Sequence, residues 1–433
     1  MDSPDVLARM RSDWDGRALE DAYYYVAFGR KHQAEDEFFA TGADTVRALE
    51  SEVKRLDPAI PMEARRALEI GCGPGRLMRP LARNFGEIHG VDVSEEMVRM
   101  AAVRLDRLPN ARVQACTGAD LSAFPAETFD FVYSYAVFQH IPSREVVWQY
   151  LTEARRVLKN GGILRCQFNG LPDTDRETNT WDGVRMSARE LSQFSRVHDF
   201  QLLALEGAGS QYLWTTMRKQ PDGWRQGLKS PGTVARIRGA ANSQTGEPVV
   251  PASGCFAGCT IWLESMPPEC DLNHLAVTFE GAPGMPSYLG PPVWDGVVQL
   301  DVQLPDGTRT GMVRVDIAWL GKPLAPPAWL RVIPPGPVAP WVGSVADGVN
   351  LLAGNRVESG SVKIVMEDIA DKSAFEVTVD GQTPSEIQWV PRNTLTMSYE
   401  LNFRLPEGMP AGVHHILLRN GARTLPPVEI EVA

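Results

Sequence analysis

The run Ala67-Leu68-Glu69-Ile70-Gly71-Cys72-Gly73-Pro74-Gly75-Arg76 places three glycines at alternate positions behind a strand-like segment, ahead of a helix expected to begin near Pro74. Glycine at such positions leaves room for a ligand to approach the backbone, and amides at a helix N-terminus can face a polar or anionic group. Twenty-one residues after Gly71 stands Asp92, in Gly90-Val91-Asp92-Val93-Ser94, at the end of the next expected strand. A carboxylate there can accept both hydroxyls of a ribose. Taken alone, the glycines fit a tight strand-to-helix turn with no ligand equally well; the spacing to Asp92 points to a nucleoside-containing cofactor. The turn lacks the later glycine of the dinucleotide fingerprint. An acidic Glu69 stands two residues before the first glycine.

These residues need a scaffold, and residues 1–220 supply the pattern for one. Short apolar runs at Arg66 to Ile70, Ile88 to Val91, Arg112 to Ala115, Phe129 to Tyr135 and Ile163 to Phe168 are separated by helix-length stretches. Between the last two, Val146, Val147, Tyr150, Leu151, Ala154, Val157 and Leu158 recur at helical spacing before Asn160-Gly161-Gly162. Phe200 to Leu205 and Gln211 to Met217 read as two final strands. This alternation predicts an α/β, Rossmann-like domain with a parallel sheet and helices on both faces.

The chain has 433 residues, about three times a typical domain, so one core is not expected. Of its 33 prolines only 9 precede residue 221, and beyond that point helical periodicity fades. Val277-Thr278-Phe279-Glu280-Gly281 is matched 100 residues later by Val377-Thr378-Val379-Asp380-Gly381, and Leu304-Pro305-Asp306-Gly307 is matched 101 residues later by Leu405-Pro406-Glu407-Gly408. Gly311 with Gly412, and Pro326-Pro327 with Pro426-Pro427, keep the register. Two copies of an all-β module follow, at 232–336 and 337–433, joined to residues 1–220 by a linker at 221–231.

At this point a resemblance can be stated. Leu68 to Gly75, Asp92, the stretch Ala119-Asp120-Leu121 with Phe124-Pro125 and Thr128-Phe129-Asp130-Phe131-Val132, and Val157 to Gly162 together resemble the core of class I S-adenosylmethionine-dependent methyltransferases of the small-molecule type. The resemblance implies a seven-stranded Rossmann-like fold and S-adenosyl-L-methionine as cofactor, bound by Glu69, Gly71, Gly73, Gly75, Asp92, Val93, Asp120 and Leu121. Asp120 would hold the adenine; its alternative role is to cap its own loop. His140, just after the fourth strand, is the candidate catalytic base, although in many members a histidine here is structural. His89, in a strand, and His198, in a helix, are less well placed. Residues 12–33, with Trp14, Arg17, Asp21, Tyr23, Tyr24, Tyr25, Arg30 and His32, resemble a helical lid or else pack as an amphipathic helix on the sheet. Leu171 to Val184 would bring Asp173, Asp175, Arg176, Trp181 and Asp182 to the acceptor or form a surface loop.

The β-modules resemble immunoglobulin-like β-sandwiches of the IPT/TIG kind, which implies contact with a carbohydrate or protein, or self-association. The expected acceptor is a small molecule or carbohydrate, methylated on oxygen or nitrogen. The net charge of −11 and the absence of an Asn/Asp-Pro-Pro-aromatic or Pro-Cys signature exclude nucleic acid as the expected substrate. The nearest basic series, Arg218, Lys219, Arg225, Lys229, Arg236 and Arg238, is spread across and on both sides of the connector. Six scattered cysteines predict neither a disulfide framework nor a metal site. With no apolar run of about 18 residues and no secretory N-terminus, the expectation is a cytoplasmic protein without membrane contact. The competing function class is a non-catalytic scaffold with a degenerate methyltransferase domain.

Overall fold

The computed structural model describes residues 3–27, 31–173, 176–336, 339–351 and 354–433. Arg30, Asp175 and the module boundary at 337 lie outside the described residues. Strands β1 (Arg66–Ile70), β2 (Glu87–Asp92), β3 (Ala111–Ala115), β4 (Phe129–Ser134), β5 (Leu158–Phe168), β6 (Phe200–Glu206) and β7 (Leu213–Lys219) lie in the order β3-β2-β1-β4-β5-β7-β6. The first five are parallel, and β7 runs antiparallel to both β5 and β6. The carboxyl ends of β1, β2 and β4 therefore meet where the strand order reverses, the place at which such sheets bind ligands.

Helices α1 (Ser3–Ala27), α2 (Glu35–Ala40), α3 (Ala43–Val53), α4 (Met78–Leu81), α5 (Glu95–Leu105), α6 (Arg144–Val157) and α7 (Ala188–Val197) cover this sheet. Their ends are chemically marked: Ser94 and Ser143 accept the Met97 and Val146 amides, and Ser187 with Glu190 completes a capping box. The α6 face carrying Val147, Leu151 and Ala154 is fully buried. Two local expectations fail. The chain after Pro74 forms turns before the short α4, and β5 begins at Leu158, so Asn160-Gly161-Gly162 lies inside a strand.

The sheet does not stop at β6. Tyr288 pairs with Ala204, and Met285–Leu289, Val298–Gln303, Gly258–Glu264 and Arg236–Asn242 extend it to eleven strands. A second sheet, containing Leu275–Phe279, Gly311–Trp319, Ala328–Ile333 and Val249–Pro251, faces these four strands across a core that includes Ile261, Leu300, Val277 and Trp319. The last hundred residues repeat the arrangement. Trp341–Asp347, Ser361–Glu367, Ser398–Arg404 and Ser385–Asn393 form one sheet. Arg356–Val357, Val428–Val432, Gly412–Asn420 and Phe375–Val379 form the other, around Ile364, Leu401 and Ile416. Strand order and direction agree between the copies, including the one parallel pair in each second sheet.

Residues 221–231 are largely exposed, and side chains tie the segment to its neighbours. Arg225 donates to the carbonyls of Ser195 (3.2 Å) and Phe200 (2.7 Å) and pairs with Asp271 at 3.2 Å, while the buried Lys219 reaches the Leu158 carbonyl at 2.7 Å. Arg238 pairs with Glu264. The basic series is thus largely turned to internal bonds. A second junction is centred on Glu52 of α3, whose carboxylate accepts from Arg55 (2.7 Å), Thr216 of β7 (2.8 Å) and Tyr288 of the first module (3.2 Å). The Arg55 and Glu52 side chains are only 2% and 3% exposed. Glu52→Ala leaves Arg55 buried without its anion and should cost about 3 to 5 kcal/mol. A urea midpoint equal to that of the parent would show that this junction carries no stability.

Candidate functional site

At the carboxyl edge of the first domain lies a cavity of about 750 Å³, within the range of roughly 300 to 1,000 Å³ usual for small-molecule sites. Its floor is made by the β1 turn and the end of β2. Gly71 (φ 73°) has no room for a side chain, because a Cβ would come within 2.3 Å of Val137 Cγ2; its requirement is packing against the segment after β4. Gly73 lines the cavity, and its amide donates to Asp92 Oδ2 at 2.9 Å. Gly75 faces Leu105 of α5 and is not part of the lining.

Asp92 and Val93 both line the cavity. The Asp92 carboxylate also accepts the Ser94 amide at 2.9 Å, so the backbone aims it at the floor. Withdrawal from bulk water raises its pKa to about 6, against the two amides that favour the charged form and with help from Asp15 nearby. Glu69 is placed differently. Its side chain is buried on the strand, accepts the Tyr133 hydroxyl at 2.9 Å and is not among the lining groups; burial raises it to about 8.

Asp120 and Leu121 stand apart from the main cavity. Asp120 accepts from Thr117 (2.8 Å) and from the Ser122 hydroxyl and amide (2.6 and 3.0 Å), the loop-capping arrangement. The Leu121 amide donates to Glu153 at 3.1 Å. Both line a smaller cavity of about 220 Å³ under Arg11 of α1, which shares no lining residue with the larger one.

His140 borders the main cavity at the end of the short helical turn Phe138–His140. Its Nδ1 lies 2.7 Å from the Trp181 carbonyl, which can only accept, so the neutral ring carries its proton on Nδ1 and its lone pair on Nε2, 3.1 Å from Gln139 Nε2. Burial lowers its pKa to about 4, against the Trp181 carbonyl and with Arg17 reinforcing the shift. Before it, Ala136 has a positive φ of 57°, a strained conformation at a point where the backbone lines the site.

The roof is α1 meeting the loop after β5. Extended backbone at Asp21 breaks α1, and the Asp21 carboxylate caps the second part at the Tyr24 amide (3.1 Å). Arg17 donates to the Thr180 carbonyl and hydroxyl, each at 3.0 Å, and Trp14 and Trp181 flank His140 with ring centroids 5.4 Å away. Trp14, Tyr25, Arg176, Trp181 and Asp182 line the cavity, whereas Asp173 pairs with Arg144 and Tyr23 stacks on Phe38. His89 packs edge-on against Phe124 and Phe129, and His198 against Phe194, away from the site.

One functional group lay unmarked in the sequence although it closes the glycine run. Arg76 is 6% exposed and lines the cavity; it makes one hydrogen bond, to Thr41 at 3.1 Å, and its Nε is buried without a partner among the described residues. A buried guanidinium in this condition needs an anion, and the cavity is where one can reach it.

The methyltransferase domain family matches residues 68–166, the span from the β1 turn to the end of β5. Those residues are a methyltransferase domain. A ubiquinone biosynthesis O-methyltransferase of Cereibacter sphaeroides is 33% identical over 111 residues, covering 26% of this chain and 44% of that protein. A trans-aconitate 2-methyltransferase of Agrobacterium fabrum is 34% identical over 139 residues, covering 30% and 50%. The chain thus spans about half the length of the curated relatives it matches. Among solved structures, magnesium protoporphyrin IX methyltransferase from Synechocystis with bound S-adenosylmethionine is 15% identical, with a TM-score of 0.37 over 50% of this chain and 98% of that one.

S-adenosylmethionine is the cofactor of the methyltransferase domain, and the residues present suit it: Asp92 would take the ribose hydroxyls, Gly73, which lines the cavity without a side chain, would allow close approach, and Arg76, whose Nε has no partner among the described residues, would take a carboxylate. Protonated Asp92 loses acceptor capacity, so affinity for S-adenosylmethionine should fall as pH drops through about 6. Asp92→Asn should weaken binding at pH 7.5 by about 10- to 100-fold and flatten that dependence, as read by titration calorimetry.

Proposed function

We propose that the whole chain catalyses methyl transfer from S-adenosylmethionine to an oxygen or nitrogen of a small-molecule or glycan-type acceptor. The observation that carries this reading is the convergence of Asp92, Gly73, Arg76 and His140 on one roofed cavity with room beyond its floor. The cofactor supplies an electrophilic methyl group on a good leaving group. The chain's part is then to align the acceptor and exclude water, which the roof of α1 with Thr180, Trp181 and Asp182 is built to do. The name of one relative, an O-methyltransferase, supports oxygen as the atom methylated.

His140 is the candidate to take the acceptor's proton at Nε2, with the acceptor hydroxyl displacing the Gln139 amide that donates to that lone pair at 3.1 Å. With a pKa near 4 it is unprotonated throughout the neutral range, and it is a weak base, best suited to a proton released late in the transfer. It also fixes the Trp181 carbonyl and therefore the roof.

Two measurements test the reading. Calorimetry should show S-adenosylmethionine binding, and no binding at millimolar ligand would overturn the proposal. His140→Ala should lower kcat by about 10²-fold or more while cofactor affinity stays within a few-fold; an unchanged rate removes it from the catalytic list.

A further inference from the structure

The far wall of the cavity is built by the second β-module. Lys363, Val390, Pro391 and Glu400 line it, opposite Tyr212 of the first domain, whereas no residue of 232–336 does so among the described residues. The module is fastened there by backbone. The Gln211 amide donates to the Arg392 carbonyl and the Thr394 amide to the Gly209 carbonyl, each at 3.0 Å, and Gln211 Nε2 reaches the Pro391 carbonyl at 3.2 Å. Gly209 (φ 75°) packs so closely on Leu395 and Thr394 that a Cβ would sit 3.0 Å from Leu395 Cγ.

The internal repeat shows which features of this wall belong to the module fold and which do not. Ile261 pairs with Leu300 in the first copy as Ile364 pairs with Leu401 in the second, and all four point into their cores. In this register Lys363 takes the place of Thr260, and Glu400 that of Gln299. The inward residues are alike in kind; outward, Thr260, Gln299 and the anion Asp301 that both of them bond correspond to Lys363, Glu400 and Asn402, so a cation is present and the anion sits at another position in the copy that faces the cavity. Lys363 Nζ and Glu400 Oε2 lie 3.0 Å apart, with side chains 19% and 17% exposed, on neighbouring strands.

We propose that the second module is the acceptor-selecting wall of the site and that the acceptor it takes is uncharged and rich in hydroxyls, a sugar or sugar-like ring. This rests on the methyltransferase reading above. The charged groups of the wall answer one another: Glu400 pairs with Lys363 at 3.0 Å and with Arg392 at 3.9 Å, Arg392 with Glu367 at 3.5 Å, and Arg185 with Asp182 at 3.9 Å; Arg176, which also lines the cavity, is exposed. An anionic acceptor drawn to Lys363 would meet Glu400 beside it, and a cationic one drawn to Glu400 would meet Lys363 and Arg392. A hydroxyl avoids both conflicts, since it accepts from the ammonium while donating to the carboxylate and leaves the pair intact. Tyr212 and Pro391 offer apolar surface for the C–H face of a ring.

The test uses the full chain with methyl glycosides of glucose, galactose, mannose and rhamnose at millimolar concentration, beside the matching uronates and amino sugars. Saturation-transfer NMR is recorded with and without S-adenosylhomocysteine. At least one neutral glycoside should bind about tenfold more tightly than its charged counterparts, and Lys363→Met and Glu400→Gln should each weaken it by about tenfold. Cofactor affinity by calorimetry and the melting temperature should stay at parental values in both variants. Failure of every neutral glycoside to bind, a preference for the charged series, or variants with unchanged probe affinity would overturn the proposal. Loss of S-adenosylmethionine binding in the parent would instead defeat the methyltransferase reading, because glycoside binding is also measured without the nucleoside.

Discussion

Strand β6 would end the methyltransferase sheet, and an open edge of backbone donors and acceptors must be satisfied by something. Here it is covered in cis. Tyr288 pairs with Ala204, the Leu272 amide donates to the Leu202 carbonyl at 2.9 Å, and Gln201 sends its side chain to the Pro268 and Cys270 carbonyls. Closing this edge fixes where the first β-module sits. The β6–β7 turn then offers Gly209 and Gln211 to the second module, which comes to rest beside the ligand-binding edge of the same sheet. The position of the far wall is thus a consequence of how the edge was closed.

The cavity joins two electrostatic regimes. At the floor, burial works against the charge of Asp92, and the buried Arg76 keeps its Nε without a partner among the described residues; a bound nucleoside with its own carboxylate can relieve both. At the far end charges answer each other within the protein. The floor is prepared for a charged ligand and the wall for an uncharged one, which keeps the two ligands from competing for the same groups.

Much of the floor was legible in the sequence. β1 spans the residues expected, and Asp92 ends β2 and lines the cavity because the path from the β1 turn through α4 to the end of β2 is local in sequence. Local chemistry also set the limits. The Asp120 motif is compatible with holding adenine and with capping its loop, and the structure shows the second arrangement. Gly75 reads like Gly73 in sequence, yet it answers to Leu105 and not to the cavity. The wall was not legible, because Lys363 and Glu400 become neighbours only through strand pairing, and because one cross-domain pair, Tyr288 with Ala204, leaves no periodic trace. Arg76 was not legible either, since an arginine after a glycine turn is ordinary and only the fold buries this one.

The duplicated module has a meaning for how such a chain can change. The first copy is committed: its strands close an edge and its Tyr288 enters the Glu52 network, so alterations there are felt in folding. The second copy is held mainly by backbone atoms, which every residue type possesses. Its outward side chains are therefore free to vary while the attachment persists, and a duplication of this kind separates the part of a protein that must stay the same from the part that can acquire a new preference.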